Sequence, residues 1–386
     1  MIDIDLAVEE YKNKENISDG GSNCYDFGDT VLVKYTCPIK YLGRSLHVRE
    51  MSEEIMESLK EKTSKGVNTP KHLAVKRVVE GEDDVCYVLQ EKCPGYNCAS
   101  KFKHHASYEE ACESLKSVLE IPFEHYQKLI ADGCQLYEMG YEAKNKNLFY
   151  DKDTGFWYID FLNNDTDNLF DKNDIKKIFI AVNHRIPKPI QLPSQMDYGV
   201  EASLTPDKLK KIKELKYAIK AKTFLAIKST FPIFSKYEKF FLINESDEYK
   251  NYLMKEGIVN KNLLTIEPSD YEVFNELREI VINGLVDKVV NKGVSFWSVE
   301  CNDIRNDSNL FNLESFFTLS DYNKFNKEDF EDEYDYKIAI SNLYKQGILT
   351  DLVAKLSAMD KTENITAFLN DANEKLAKMT EKGKHY

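Results

Sequence analysis

Two stretches near the start of the chain carry the residue pattern of β-strands. Thr30-Val31-Leu32-Val33-Lys34-Tyr35 and Val85-Cys86-Tyr87-Val88-Leu89-Gln90 are rich in β-branched and aromatic residues, which suit a pleated, half-buried surface. The second is entered from an acidic turn, Gly81-Glu82-Asp83-Asp84. Between the two, Val48, Met51, Ile55 and Leu59 recur at roughly helical spacing and predict a helix over 46–62, with Glu50, Glu54 and Glu57 on another face. Pro94-Gly95 punctuates the chain after the second strand. Residues 107–139 read as helical. Two short apolar runs follow, Asn147-Leu148-Phe149-Tyr150 and Phe156-Trp157-Tyr158-Ile159-Asp160-Phe161, and the residues between them, Asp151-Lys152-Asp153-Thr154-Gly155, have the chemistry of a hairpin turn. Past residue 165 helix dominates. Leu209, Ile212, Leu215 and Ile219 form one stripe; Ile365, Phe368, Leu369, Ala372, Leu376 and Met379 form another, with Asp360 and Glu363 placed as an N-cap and its partner. Pro187, Pro189, Pro193 and Pro206 predict an irregular connection within 185–206.

Composition narrows the function classes. The chain has 386 residues, 42% of them apolar and 30% charged, which fits a globular protein with a sizeable core. Its net charge of −13 argues against a broad basic face for nucleic acid, because phosphate binding rests on positive charge. No stretch approaches the ~20 apolar residues of a membrane span. The first residues, Met1-Ile2-Asp3-Ile4-Asp5, lack the basic and apolar regions of a signal peptide. None of the eight cysteines forms a C-x-x-C pair, so buried thiols in a reducing cytosol are the expectation. A cytoplasmic location follows from these features, and a secreted effector exported through another kind of signal is compatible with them. The run from Glu328 to Asp335 has six acidic residues in eight and reads as a solvated loop or helix end.

Candidate chemistry sits in four separated segments. The first is Asp19-Gly20-Gly21-Ser22-Asn23-Cys24-Tyr25, just ahead of a strand; glycines there let backbone N–H groups approach a phosphate, though a Gly-Gly turn is also ordinary. The second is Lys34, in the middle of an apolar strand. If it faces inward it needs an anionic partner, because an unpaired buried ammonium is costly; if it faces outward it is an ordinary strand lysine. The third is the glutamate face of 46–62. The fourth and strongest is Gly140-Tyr141-Glu142-Ala143-Lys144-Asn145-Lys146-Asn147, followed by the hairpin and Ile159-Asp160-Phe161-Leu162. A carboxylate, a lysine two residues on, an asparagine three beyond that and an aspartate after a hairpin can assemble a base and metal ligands around a triphosphate.

Taken in this order, the four segments resemble the protein-kinase-like superfamily. Its catalytic loop reads H-R-D-L-K-x-x-N and its metal loop D-F-G; here Lys144 and Asn147 fall in register without gaps, and Asp160-Phe161-Leu162 stands for the latter. The wording Gly20-Gly21-Ser22-Asn23 is closer to the aminoglycoside- and choline-kinase branch, although Cys24 and Tyr25 shorten its spacing by one; Lys144 resembles the Ser/Thr protein kinases. The resemblance covers roughly 15–165 and implies an α+β, bilobal protein-kinase-like fold with a helical C-terminal extension: a small lobe over 1–92, the core of a large lobe over 93–205, and a helical region over 206–386. It implies ATP and Mg²⁺ as cofactors. Gly20, Gly21, Ser22 and Lys34 would hold the nucleotide together with a hinge at Gln90-Glu91-Lys92-Cys93, where Glu91 and Cys93 are the contacts. Glu50 would pair with Lys34, with Glu54 as its rival one turn later. Asn147 and Asp160 would hold Mg²⁺, and Lys144 would neutralise the transferring phosphoryl. Glu142 stands where the family has its catalytic Asp, Gly140 replaces its His, and Leu162 its Gly. The implied activity is phosphoryl transfer to a protein hydroxyl. A kinase acting on a small-molecule alcohol, a pseudokinase acting as a nucleotide-binding interaction module, and another transfer from ATP such as adenylylation are the competing readings.

Overall fold

The computed structural model describes residues 2–17, 23–38, 65–81, 83–98, 107–138, 148–159, 175, 178–179, 204–320 and 327–382. The fold is α+β, with two small antiparallel sheets in the N-terminal part and helices elsewhere. The chain divides into two compact units, Met1–Phe170 with His184–Thr230, and Asp171–Asn183 with Phe231–Tyr386.

The first unit opens with helix α1 (Ile4–Glu10), capped by Asp3, whose carboxylate accepts from Asp5 N at 2.8 Å. A single 3₁₀ turn, Tyr11–Asn13, follows. Strands β1 (Asn23–Asp26), β2 (Thr30–Pro38), β3 (His72–Glu80) and β4 (Asp83–Glu91) form an antiparallel sheet in the order β1-β2-β4-β3. Alternation divides its side chains between two faces. Leu32, Val85, Tyr87 and Leu89 are buried on one face, under Ala7 and Tyr11 of the N-terminal segment. Val31, Val33, Cys86 and Val88 are buried on the other. Both strands expected from the β-branched runs are therefore present, at 30–38 and 83–91. The helix expected over 46–62 lies outside the described residues.

After β4 the chain enters β5 (Tyr96–Asn97) and then helices α2 (Tyr108–Glu120) and α3 (Phe123–Glu138). Ser107 caps α2 by accepting from Glu110 N at 3.2 Å. The helical stretch expected over 107–139 is split at Ile121-Pro122, because the residue before a proline is pushed out of the α region. Strands β6 (Leu148–Asp151) and β7 (Gly155–Tyr158) then form the expected hairpin and complete a sheet ordered β5-β6-β7. Asp151 Oδ1 holds the turn, accepting from Asp153 N at 3.1 Å, Thr154 N at 2.9 Å and Thr154 Oγ1 at 2.7 Å. Helix α4 (Pro206–Thr230) buries Ile212, Leu215 and Ile219 of its predicted stripe.

The second unit is helical among the described residues. Its longer helices are α5 (Asp247–Lys255), α6 (Pro268–Lys292), α7 (Glu333–Ala358) and α8 (Glu363–Lys382). One aromatic-rich core joins Phe274, Leu277 and Leu285 of α6, Tyr344 and Ile348 of α7, and Ile365 and Phe368 of α8 with Phe179 from the short 171–183 segment. The α8 stripe is buried at Ile365, Phe368, Leu369 and Ala372. The cap expected at Asp360 falls instead at Thr362, whose Oγ1 accepts from Ile365 N at 3.3 Å. Among the described residues no helix is long and apolar enough to cross a membrane.

Candidate functional site

Lys34 sits at the centre of the best-defined polar cluster on the first sheet. Its position in β2 pairs with Tyr87 of β4, which in turn pairs with Lys76 of β3, so the three side chains share the face that the N-terminal segment covers. The Lys34 side chain is only 14% exposed and reaches Glu80 Oε2 at 2.7 Å. Its ammonium also donates to the Tyr11 hydroxyl at 3.0 Å. Tyr87 donates its hydroxyl to the second oxygen of Glu80, Oε1. The rings of Tyr11 and Tyr87 flank the lysine, with Nζ 5.1 Å and 5.5 Å from their centroids, close enough for cation–π attraction.

This arrangement answers the electrostatic demand of a lysine inside an apolar strand. Burial alone pulls the Lys34 pKa down, but the hydrogen bonds and charges of Glu80 and Tyr11 outweigh it and the net shift is upward. Burial likewise raises Glu80, and the bonds from Lys34 and Tyr87 carry its carboxyl below the ordinary value. Both groups are therefore charged at neutral pH. Sequence reasoning calls for an anion if Lys34 faces inward, and the kinase resemblance looks for it on the 46–62 helix. Glu50 and Glu54 lie outside the described residues, and the carboxylate found on Lys34 is Glu80. A signal for it exists in the chain: the acidic run Gly81–Asp84 marks the reversal between β3 and β4, and period-two alternation puts Ala74, Lys76, Val78 and Glu80 on one face.

The segment expected to form a hinge leaves β4 at Glu91. Glu91 N donates to Lys71 O at 2.9 Å and Lys92 N to Asp29 O at 3.0 Å. The Lys92 ammonium bonds Asp26 of β1 at 2.6 Å, and that bond, with the Gly28 N–H, holds the Asp26 carboxyl below its usual range. Cys93 comes next, and burial pushes its thiol up to about 12, so it stays protonated and poorly nucleophilic. Pro94-Gly95 then turns the chain against β6. Gly95 has φ +76°, and a Cβ built on it would lie 2.0 Å from Tyr150 O, so only glycine fits. The β5 register Tyr96↔Tyr150 and Asn97↔Phe149 continues this contact.

The hairpin is fastened to the segment ahead of β3. Asn68 Nδ2 donates to Thr154 O at 3.0 Å and Phe156 O at 3.1 Å, and Tyr158 N donates to Asn68 O at 2.9 Å. Lys128 of α3 bonds Gly66 O at 2.8 Å and both oxygens of the buried Asp132. The hairpin register pairs Leu148 with Tyr158 at its open end. Asn147 immediately precedes Leu148 in the chain, and Asp160 follows two residues after Tyr158. Gly20, Gly21, Ser22, Glu142, Lys144, Asn147 and Asp160 themselves lie outside the described residues. Among the described residues no group of three His, Cys, Asp or Glu side chains is placed to hold a metal ion.

No protein-family model matches the chain, and no curated protein matches it. Among solved structures, the bifunctional kinase-methyltransferase WbdD is similar at 15% identity over 62% of this chain and 47% of that one, with a TM-score of 0.25. The chain thus spans about half the length of that structure, and a likeness of this size decides neither fold nor activity.

Proposed function

We propose that the chain is an ATP- and Mg²⁺-dependent phosphotransferase of protein-kinase-like type, acting on a protein hydroxyl. The observation that carries this reading is the register of the β6–β7 hairpin: Leu148 opposite Tyr158 is its open end, where the chain arrives from Glu142, Lys144 and Asn147 and departs toward Asp160. An antiparallel pair of this kind is a means of bringing two short loops to one place. The half-buried Lys34–Glu80 pair at 2.7 Å and the hinge beside the hairpin support the same reading.

In this proposal Lys34 neutralises the phosphate chain, the N–H groups of Gly20, Gly21 and Ser22 approach it from the turn, and the backbone of Glu91 and Cys93 meets the base. The oxygen donors of Asn147 and Asp160 suit Mg²⁺, a hard cation that favours carboxylate and amide oxygen; the ion supplies charge neutralisation at the transferred phosphoryl. Glu142 accepts the proton of the attacking hydroxyl, and Lys144 offsets the charge that develops on the phosphoryl oxygens.

The test has two arms. Saturating Mg–ATP at a hundred times its Kd stabilises a binding protein by about 2.7 kcal/mol; Asp160→Ala is expected to remove most of the resulting rise in melting temperature. Glu142→Gln is expected to slow single-turnover phosphate transfer by roughly 10²–10⁴-fold while ATP binding persists. An unchanged thermal shift in Asp160→Ala refutes the site. Nucleotide binding without transfer to any protein acceptor would leave the small-molecule kinase and the pseudokinase, separated by a screen of small alcohols.

A further inference from the structure

We propose that Glu80, a strand residue, is the positioning carboxylate of Lys34, so that the lysine needs no glutamate from the 46–62 helix. The inference rests on the phosphotransferase reading above and names a working residue that the kinase-like motifs do not supply.

Three observations carry it. Glu80 uses its two oxygens separately, Oε2 for Lys34 at 2.7 Å and Oε1 for the Tyr87 hydroxyl. A carboxylate held at both ends fixes the direction from which it grips the ammonium. The lysine has three N–H donors, of which Glu80 and Tyr11 take two, and its side chain keeps 14% of its surface open. Among the described residues these are its hydrogen bonds, so a third donor remains for a phosphate oxygen while the other two hold the head group. Finally, exchanging Glu80 for a helix glutamate would strand the Glu80 carboxylate beside Tyr87 without its cation. That exchange is unfavourable, because breaking a partly buried pair leaves an uncompensated charge. Glu80 and Tyr87 lie on adjacent, directly paired strands, so the grip is built into the sheet and does not depend on where a helix sits.

Mg–ATP affinity of the full chain, measured by titration calorimetry, separates the alternatives. Lys34→Ala and Glu80→Gln are each expected to raise Kd at least fivefold, and the double variant to bind no more than twofold worse than Lys34→Ala alone, because the carboxylate acts through the lysine. The Glu50→Gln, Glu54→Gln double variant is expected to stay within twofold of the unmodified chain. Tyr87→Phe, which leaves Lys34 and Glu80 in place but frees Oε1, is expected to weaken binding two- to fivefold and serves if Glu80→Gln does not fold. A Glu80 with a merely structural role would lower the unfolding midpoint and leave Kd unchanged. Wild-type affinity in Glu80→Gln and Tyr87→Phe beside a weakened Lys34→Ala, or a loss confined to the Glu50 and Glu54 variant, overturns the assignment while the phosphotransferase reading stands. Unchanged affinity in Lys34→Ala overturns both.

Discussion

Gly95 and Lys34 show how single residues set the geometry around the site. At Gly95 the backbone is left-handed and a Cβ would meet Tyr150 O at 2.0 Å and Asp151 Cα at 2.8 Å. At Gly155, φ is +86° but the nearest atom to a Cβ is His125 Cδ2 at 3.6 Å. Alanine at 155 thus incurs the dihedral penalty alone, about 1–2 kcal/mol, whereas alanine at 95 adds a backbone clash and is expected to cost ~3 kcal/mol or more. Urea denaturation of the two variants checks the ordering. Lys34 and Glu80 give a pH prediction. The lowered Glu80 carboxyl contributes stability that is fully present above its unfolded value, about 4, and is lost as pH falls through its folded value; the raised Lys34 loses its share only as pH climbs above the ordinary lysine value of 10.5. The stability gap between the unmodified chain and Glu80→Gln is therefore expected to be flat from about pH 6 to 9 and to close below about pH 4. A gap that persists in acid would remove the ion pair as its source. Legible in the sequence was that an inward-facing Lys34 needs an anion; the anion's identity was not, because β3 carries few β-branched residues in its first half and its register follows only from the turn at Gly81.

At the scale of elements, local chemistry accounts for most of what forms and where it stops. Strands β2 and β4 follow from β-branched runs and the β6–β7 hairpin from aromatic runs around a turn holding Asp151, Asp153 and Gly155, signals contained within a few residues. The α2–α3 break shows a different origin. Pro122 ends the first helix, and the carbonyls left open there are met from far along the chain: Lys222 of α4 donates to Leu119 O at 2.7 Å and to Ile121 O, with its ammonium 4.7 Å from the Tyr126 ring. No short-range pattern announces such a cap, which joins residues 103 and 101 positions apart. The same holds for α1, which is too short for a periodic stripe and is held by Tyr11, whose ring meets those of Tyr25 at 4.9 Å and Tyr87 at 5.5 Å. Lys222→Met keeps the aliphatic stem and deletes the donor. It is expected to cost about 1–3 kcal/mol, the penalty for leaving buried acceptors unmet, and to speed hydrogen exchange in the last turn of α2. Unchanged stability would mean that water replaces the lysine at those carbonyls.

At the scale of the whole molecule, the division of the chain does not follow its order. The expected boundaries at 92 and 205 come from motifs and prolines, signals that mark connections. The two compact units are defined by burial: α4 packs on α2 and α3 in the first, and 171–183 contributes Ile175 and Phe179 to the core of the second. Phe179 is 1% exposed, stacked on Phe241 at 4.1 Å between centroids and edge-on to Phe311 at 4.5 Å. A segment so short has no periodic stripe to reveal this docking in advance. It has a measurable consequence, because the chain has two tryptophans, Trp157 on β7 of the first unit and Trp297 in the second. With fluorotryptophan at both positions, each resonance reports its own unit. Phe179→Ala empties a buried aromatic site at a cost of about 3–5 kcal/mol, which at a urea slope of roughly 2–3 kcal/mol/M moves a midpoint down by about 1–2 M. That shift is expected at Trp297, with Trp157 almost unmoved. Leu32→Ala, at a fully buried position under α1, is expected to do the reverse, lowering the Trp157 midpoint by about 1–2 M and sparing Trp297. Equal shifts at both resonances in both variants would show one cooperative block, and the assignment of 171–183 to the second core would then have no thermodynamic counterpart.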